Sequence, residues 1–240
     1  MKKTAVLLAA LAMGALLRAD EAPAAAPATT VAAPASTYTV TADFPYVSSY
    51  VFRGVKLADD CFQPSLKLAA GNAYAGIWMS QPVEASVDNE IDFYGGYTFA
   101  LSKGWSLDVG ATLYYYPQMD PAAGDESTFE AYVGLTGTVG GITLGGYVYQ
   151  DFTLKATTVQ GSIGYSVPVN DKLSINFSGN LGYVTPDQGD SYTYYGASVQ
   201  LPWKISDKAT VTIGGSYANN DIDNAVDDIF WANIGFTYTF

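Results

Sequence analysis

The sequence predicts an all-β protein that folds as a closed antiparallel transmembrane β-barrel of about 12 strands in up-and-down meander order. First, only 14% of the residues are charged and 49% are hydrophobic, whereas soluble domains carry about 25% charged residues. Second, short stretches of alternating polar and apolar residues follow one another from Thr37 to Phe240, separated by Gly, Asn, Asp and Pro. Third, no apolar run after the first residues reaches the roughly 18 residues that a spanning helix needs.

The beginning of the chain has the composition of a secretory signal. Lys2 and Lys3 precede an apolar stretch that runs from Ala5 to Leu17, and we expect cleavage after Ala19. Residues 20–36 contain mainly Ala, Pro and Thr without periodicity, which is typical of a flexible spacer. The predicted organisation is therefore a signal peptide at 1–19, a periplasmic spacer at 20–36 and an outer-membrane barrel at 37–240.

Alternation along each strand separates an apolar face from a polar one. In one strand Leu107 and Val109 alternate with Ser106, Asp108 and Gly110. A soluble β-sandwich also alternates, but the secretory signal and the segment lengths favour a membrane barrel. The expected strands cover 37–53, 62–70, 73–82, 89–101, 105–117, 127–138, 142–151, 156–167, 173–184, 192–202, 209–218 and 229–240.

The connections between strands predict an orientation. Every second connection is a tight turn, such as Gly71-Asn72 or Gly140-Gly141, and we place these turns in the periplasm. The other connections are mostly longer and acidic, as expected for extracellular loops. The predicted acidic residues of the outer mouth are Asp59, Asp60, Asp120, Asp125, Glu126, Asp187, Asp190, Asp221, Asp223, Asp227 and Asp228.

The last strand carries a predicted assembly signal. Asn233, Gly235, Tyr238 and Phe240 have the spacing of the C-terminal signal of bacterial outer-membrane proteins. Such a strand can pair with an exposed strand edge of the barrel assembly machinery before the barrel closes. We therefore expect a bacterial outer-membrane location, with outer-membrane lipid, lipopolysaccharide and the assembly machinery as partners.

Three short motifs resemble one protein family. They are Ser49–Gly54 (SYVFRG), Tyr74–Trp78 (YAGIW) and Glu90–Tyr97 (EIDFYGGY). In this order they resemble the TorF-type porins, also called the Gcw_chp family, over about residues 37–240. The resemblance implies an outer-membrane barrel of porin type and supplies no catalytic residue. Val55-Lys56-Leu57 departs from the small polar residues of the family, so the first loop is expected to differ.

Few charged side chains fall on the predicted lumen face. They either select solutes by charge or pair with one another because an isolated buried charge is costly. The tyrosines either stack on sugar rings or fill a narrow interior. The predicted pore-lining residues are Arg53, Lys67, Asp92, Asp108, Glu130, Tyr94, Tyr114, Tyr132 and Tyr147.

Two functions remain open at this stage. One is a channel for passive diffusion of small hydrophilic solutes, with a preference for cations because acidic residues predominate at the mouth and on the wall. The other is a closed barrel that acts as an envelope scaffold or surface-interaction protein. The chain contains no His, so we expect no enzyme activity, and we expect no metal, no cofactor and no nucleic-acid partner.

Overall fold

The computed structural model describes residues 38–84, 87–120, 122 and 124–240. The predicted signal peptide and spacer lie outside these residues. No helix within the described ranges is both long and apolar enough to cross a membrane. The strands are β1 (Thr39–Asp43), β2 (Tyr46–Phe52), β3 (Val55–Phe62), β4 (Ser65–Ala70), β5 (Ala73–Pro82), β6 (Glu90–Ala100), β7 (Trp105–Tyr115), β8 (Ser127–Val139), β9 (Ile142–Asp151), β10 (Ala156–Pro168), β11 (Ser174–Pro186), β12 (Tyr192–Lys204), β13 (Ala209–Asn220) and β14 (Ile229–Thr239).

The strands form one closed antiparallel sheet. Neighbours in sequence are neighbours in the sheet from β5 to β14, and β1 closes the ring by pairing Thr41 with Thr239 of β14. The 14 segments make 12 barrel strands, because β1 with β2 and β3 with β4 are each one interrupted strand. This confirms the predicted meander barrel.

Two prolines cause the interruptions. Pro45 separates β1 from β2, and Pro64 follows the end of β3. A proline has no N–H for the ladder, so strand pairing breaks where it stands. The two breaks lie side by side, since the Gln63 N–H donates to the Pro45 carbonyl at 2.8 Å. The prediction of an uninterrupted first strand and of a second strand starting at residue 62 was therefore wrong.

The outer surface of the barrel is apolar and the inner surface is polar. On β7, Leu113 points outward with 38% of its surface exposed, whereas the next residue, Tyr114, points inward and is 1% exposed. Outward Phe129, Tyr183 and Phe230 add aromatic rings near strand ends, where lipid headgroups meet the hydrocarbon. A closed barrel with this exterior is a bacterial outer-membrane fold, which confirms the predicted location.

The two rims differ as predicted, with one exception. Tight turns close one rim, for example Gly140 and Gly141 with φ of 61° and 84°, values typical of a type I′ hairpin. Long connections close the other rim at 83–89, 116–126 and 221–228. Following the sequence prediction, we refer to this rim as extracellular and to the rim of tight turns as periplasmic. Asp59 and Asp60 lie on β3 instead of in a connection, because the first hairpin turns earlier, at Arg53 and Gly54.

Candidate functional site

The first hairpin folds inward across the extracellular end of the lumen. β2 pairs with β14 only through Tyr46 and Val47, and β3 pairs with β5 only through Cys61 and Phe62. Beyond these residues the ladder partners of β2 and β3 are each other, with single hydrogen bonds to the wall at Ser48 and Asp60. We call residues 48–60 the plug hairpin.

The tip of the plug hairpin forms an ion pair with the barrel wall. Nη2 of Arg53 donates to both carboxylate oxygens of Glu130 on β8, at 2.9 and 3.0 Å. The guanidinium also lies 4.8 Å from the ring centre of Phe52 and 5.0 Å from that of Tyr149. Both partners are buried, with side-chain exposures of 3% and 2%. Removing one partner of such a pair typically costs about 3–5 kcal/mol, because the other charge is left uncompensated.

The other side of the tip fits closely against β12 and β13. Asn220 donates from Nδ2 to the Gly54 carbonyl at 2.6 Å. A Cβ atom on Gly54 would lie 2.6 Å from Cβ of Tyr194 and 2.8 Å from the Asn219 carbonyl. Gly54 also has a φ of 78°, which side chains other than glycine rarely adopt. Only glycine fits here without displacing the wall.

Apolar side chains hold the plug hairpin in place. Phe52 packs in a buried cluster with Val184 and Tyr194, and Val51 packs in a second cluster with Ile229. Full burial of such a side chain contributes roughly 1.5–3 kcal/mol. The extracellular half of the lumen is therefore closed by a packed element.

Acidic side chains surround the plug hairpin. Glu90 accepts hydrogen bonds from the hydroxyls of Tyr50, at 2.9 Å, and Tyr116, at 3.3 Å. Tyr114 donates to Glu130 at 3.0 Å. The buried carboxylates of this half of the lumen are Glu90, Asp92, Glu130 and Asp151.

Asp92 differs from the other three carboxylates. It is 0% exposed, and neither of its oxygens accepts a hydrogen bond from an N–H or hydroxyl group of the described residues. By contrast, Oδ1 of Asp151 accepts the backbone N–H groups of Thr153 and Leu154. Within the described part of the chain, no three acidic or cysteine side chains are grouped so that they could hold a metal ion. Of the four carboxylates, Glu130 is the one that pairs with Arg53.

The periplasmic half of the lumen contains a second, more open polar network. Asp108 accepts hydrogen bonds from Tyr74 at 2.8 Å and from Tyr147 at 3.4 Å, and the hydroxyls of Tyr74 and Tyr132 hydrogen-bond to each other. Nζ of Lys67 lies 5.1 Å from the ring centre of Tyr74. Lys67 is exposed, so this half is accessible to solvent.

The lumen tyrosines lie flat along the wall. A Cβ atom on Gly110 would come within 2.5 Å of Cζ of Tyr132, so the ring covers the glycine on the neighbouring strand. The same arrangement recurs on several strands. The lumen is wider than it would be if these rings projected into it. The pairs are Tyr74–Gly96, Tyr94–Gly76, Tyr132–Gly110, Tyr147–Gly134 and Tyr194–Gly182.

The wall from β11 to β14 carries small, uncharged polar side chains. The hydroxyls of Ser178 and Ser198 hydrogen-bond at 2.7 Å, and Gln200 and Asn233 exchange two hydrogen bonds at 3.0 and 2.9 Å. Such a wall offers hydrogen bonds to a hydrophilic solute without binding ions tightly.

At the extracellular rim, Asp228 has two hydrogen-bond donors. Oδ1 of Asp228 accepts from the Tyr217 hydroxyl at 2.6 Å and from Nδ2 of Asn219 at 3.1 Å. These bonds favour the ionised carboxylate and lower the pKa of Asp228 below its usual value. Asp228 therefore stays negatively charged at the mouth over the whole neutral range.

Comparison with known proteins identifies the family. A family model described as a bacterial protein of unknown function (Gcw_chp) matches residues 31–238. The chain belongs to this Gcw_chp family. No curated protein matches the chain.

Several solved structures share the fold of this Gcw_chp protein. The KdgM porin has a TM-score of 0.57 at 13% identity, covering 83% of this chain and 99% of that chain. The NanC porin has a TM-score of 0.56 at 12% identity, covering 83% and 98%. The COG4313 outer-membrane channel from Pseudomonas putida F1 has a TM-score of 0.53 at 12% identity, covering 90% and 99%. At these identities the likeness shows the barrel fold.

The residues that the sequence predicts to line the lumen lie on two different elements, the plug hairpin and the barrel wall. Arg53 lies on the plug hairpin instead of on the barrel wall. The others lie on inward-facing positions of the strands: Lys67, Asp92, Tyr94, Asp108, Tyr114, Glu130, Tyr132 and Tyr147. The predicted mouth acids are all exposed.

Sequence reasoning missed the plug hairpin and the carboxylates Glu90 and Asp151. A signal was present in the first hairpin, since Gly54 can adopt the positive φ of a tight turn and the flanking residues do not alternate cleanly. Glu90 and Asp151 lie at strand ends, where alternation is too short to assign a face.

Proposed function

We propose that the protein is an outer-membrane channel of porin type through which small hydrophilic solutes diffuse passively, with a preference for cations. The observation that carries this proposal is the charge of the polar lumen. The wall bears six carboxyl groups, whereas the cations that face them are Arg53 on the plug hairpin and Lys67 on β4. The six are Asp43, Glu90, Asp92, Asp108, Glu130 and Asp151.

The same charge balance argues against an anionic solute. The KdgM porin has been solved in complex with oligogalacturonate, a chain of sugars that carry carboxylates. A polyanion of this kind would meet net negative charge in the lumen of this chain, in a medium of low dielectric constant. We therefore infer neutral or cationic solutes.

The acidic loops support the same preference. Asp221, Asp223, Asp227 and Asp228 lie exposed on one extracellular connection. Like charges gathered at a channel mouth raise the local concentration of cations. This contribution falls with added salt, because the Debye length decreases from about 10 Å at 0.1 M to about 3 Å at 1 M.

The second candidate function is a closed envelope scaffold or surface-interaction barrel. The packed plug hairpin favours it, because buried Val51, Phe52 and Arg53 close the extracellular half of the lumen. In either case we propose that the protein is not an enzyme, and that its partners are outer-membrane lipid, lipopolysaccharide and the barrel assembly machinery.

Conductance in planar lipid bilayers distinguishes the two functions. The wild type is compared with a shortened variant in which an Asn-Gly turn replaces residues 48–60 and joins Val47 to Cys61, which are paired residues in the hairpin. We expect the shortened variant to conduct severalfold more than the wild type, and reversal potentials in a KCl gradient to show cation preference, more strongly at 0.1 M than at 1 M salt.

Two outcomes would contradict the proposal. Absence of current from both proteins, with normal heat-modifiable folding on gels, would favour the scaffold. Anion preference at low salt would contradict the assignment of charge selectivity to the lumen carboxylates.

A further inference from the structure

Resting on the proposed channel function, we propose that Glu130 and Asp92 form a binding site for the guanidinium group of a permeating solute. Arg53 occupies the Glu130 position of this site when no such solute is present, and the arriving solute displaces it. The plug hairpin is thus released by the class of solute that the channel transports.

The protein itself shows how the site recognises a cation. Both oxygens of Glu130 accept from Arg53, and the guanidinium lies against the rings of Phe52 and Tyr149. A carboxylate combined with aromatic faces is the arrangement that binds organic cations in proteins. Glu130 also accepts the Tyr114 hydroxyl, which fixes the carboxylate on the wall, whereas Arg53 arrives on a separate element.

Asp92 supplies a second position for a cationic group. It lies on β6, two strands from Glu130, and its residue partner on the intervening strand is Tyr114. It is 0% exposed, and no N–H or hydroxyl of the described residues donates to it. Buried carboxylates are otherwise paired or hydrogen-bonded. Asp92 is therefore a buried carboxyl group near the place that Arg53 occupies, with oxygens available to a cationic group.

The plug hairpin is attached so that it can leave the lumen. Each of its two connections to the wall lies next to a proline interruption and consists of two paired residues. One hydrogen bond is added at each end, from the Ala232 N–H to Ser48 Oγ and from the Val83 N–H to the Asp60 carbonyl. Arg53 itself has a φ of 45°, in the left-handed region that is unfavourable for a residue with a side chain. The turn at the tip of the hairpin is consequently under backbone strain.

Exchange of one cation for another explains why release depends on the solute. Withdrawal of Arg53 alone would leave the Glu130 carboxylate buried without a partner. A solute cation that takes the same position keeps Glu130 paired throughout. It therefore binds the released state better than the plugged state, which is the condition for a ligand to shift the equilibrium.

The proposal is tested on the wild-type protein in planar bilayers with arginine as the probe and citrulline as the matched control. Citrulline has nearly the same shape, but its terminal ureido group is uncharged. We expect millimolar arginine on the extracellular side to raise the KCl current of the wild type, and citrulline to leave it unchanged. Equal effects of the two compounds, or no effect of either, would overturn the proposal.

Variants of the two carboxylates test whether the arginine response arises at this site. Glu130→Gln should abolish the arginine response, and Asp92→Asn should raise the arginine concentration needed for half the effect by about tenfold, the change expected for about 1.4 kcal/mol. Asp171→Asn, at an exposed turn on the opposite rim, should keep the wild-type response. An unchanged arginine response in Glu130→Gln would overturn the site.

Failure of this proposal and failure of the channel function remain distinguishable. If the shortened variant conducts but arginine and citrulline do not differ in the wild type, the channel stands and the cation site is wrong. If the shortened variant does not conduct, the channel function itself is wrong.

Discussion

The extracellular and periplasmic halves of the lumen are built from the same strands but differ in their access to water. On β7, Tyr114 in the extracellular half is 1% exposed, whereas Asp108 in the periplasmic half is only partly buried. Both residues point inward and both take part in tyrosine–carboxylate hydrogen bonds. The plug hairpin, and not the wall, therefore determines which of these bonds are removed from water.

This difference decides where charge has the largest effect. A pair of charges interacts several times more strongly near the protein interior than in bulk water. The Arg53–Glu130 pair lies in the dry half, while Lys67 and Asp108 lie in the wetter half, where solvent and salt screen them. The extracellular half should consequently control gating, and the periplasmic half should control conductance.

The strongest test holds the plug hairpin in the dry half by a disulfide. Val51→Cys with Ala218→Cys, in a Cys61→Ala background, joins the plug hairpin to β13. Val51 and Ala218 pack in one buried cluster, and neither position has the left-handed backbone of Gly54. We expect the oxidised protein to lose nearly all arginine-dependent current and to regain it on reduction, measured on one bilayer before and after adding dithiothreitol.

Each single cysteine variant serves as a control for the disulfide. Neither can form the bond, so dithiothreitol should leave its current unchanged. If the oxidised double variant still responds to arginine, the hairpin does not have to move for the response.

A smaller effect is expected from the wall of the wetter half. Gly110→Ala places a methyl group where the Tyr132 ring lies, so the ring must swing into the lumen. Overpacking of this kind costs about 1–3 kcal/mol. We expect lower single-channel conductance with unchanged arginine sensitivity, and a lower urea midpoint of unfolding.

Gly164→Ala is the matched substitution, because Gly164 faces the lumen like Gly110 but a Cβ there would lie 3.8 Å from its nearest neighbours, the Phe177 carbonyl and Cβ of Thr143. It should change neither conductance nor the urea midpoint. A similar loss of conductance in both variants would show that the flat tyrosine is not the cause.

The two halves also differ in how far the sequence predicts them. For the barrel wall, the alternation of polar and apolar residues is sufficient to predict which side chains face the lumen. The position of Asp108 or Lys67 in its strand determines that it points inward. It fails at the tip of the plug hairpin, because the consecutive residues 49–54 are all buried inside the lumen and no longer alternate. The contact of Arg53 with Glu130 joins residues that are far apart in the chain. The alternation of residues along a strand does not predict which part of the barrel wall the tip of the hairpin contacts.

The smallest expected effect lies at the exposed rim, outside both halves. The bonds from Tyr217 and Asn219 lower the pKa of Asp228, so their contribution to stability is present above the unfolded pKa and is lost as pH falls through the lower folded value. Tyr217→Phe should raise the pKa of Asp228 towards the usual value of about 3.9, measured by carbon NMR titration of the carboxyl in detergent micelles.

Tyr183→Phe, at another exposed tyrosine, is the control and should leave the titration of Asp228 unchanged. Because Asp228 is ionised at neutral pH in either protein, cation preference at pH 7 should stay the same, and a change in that preference would show that the Tyr217 hydroxyl affects more than the charge of Asp228.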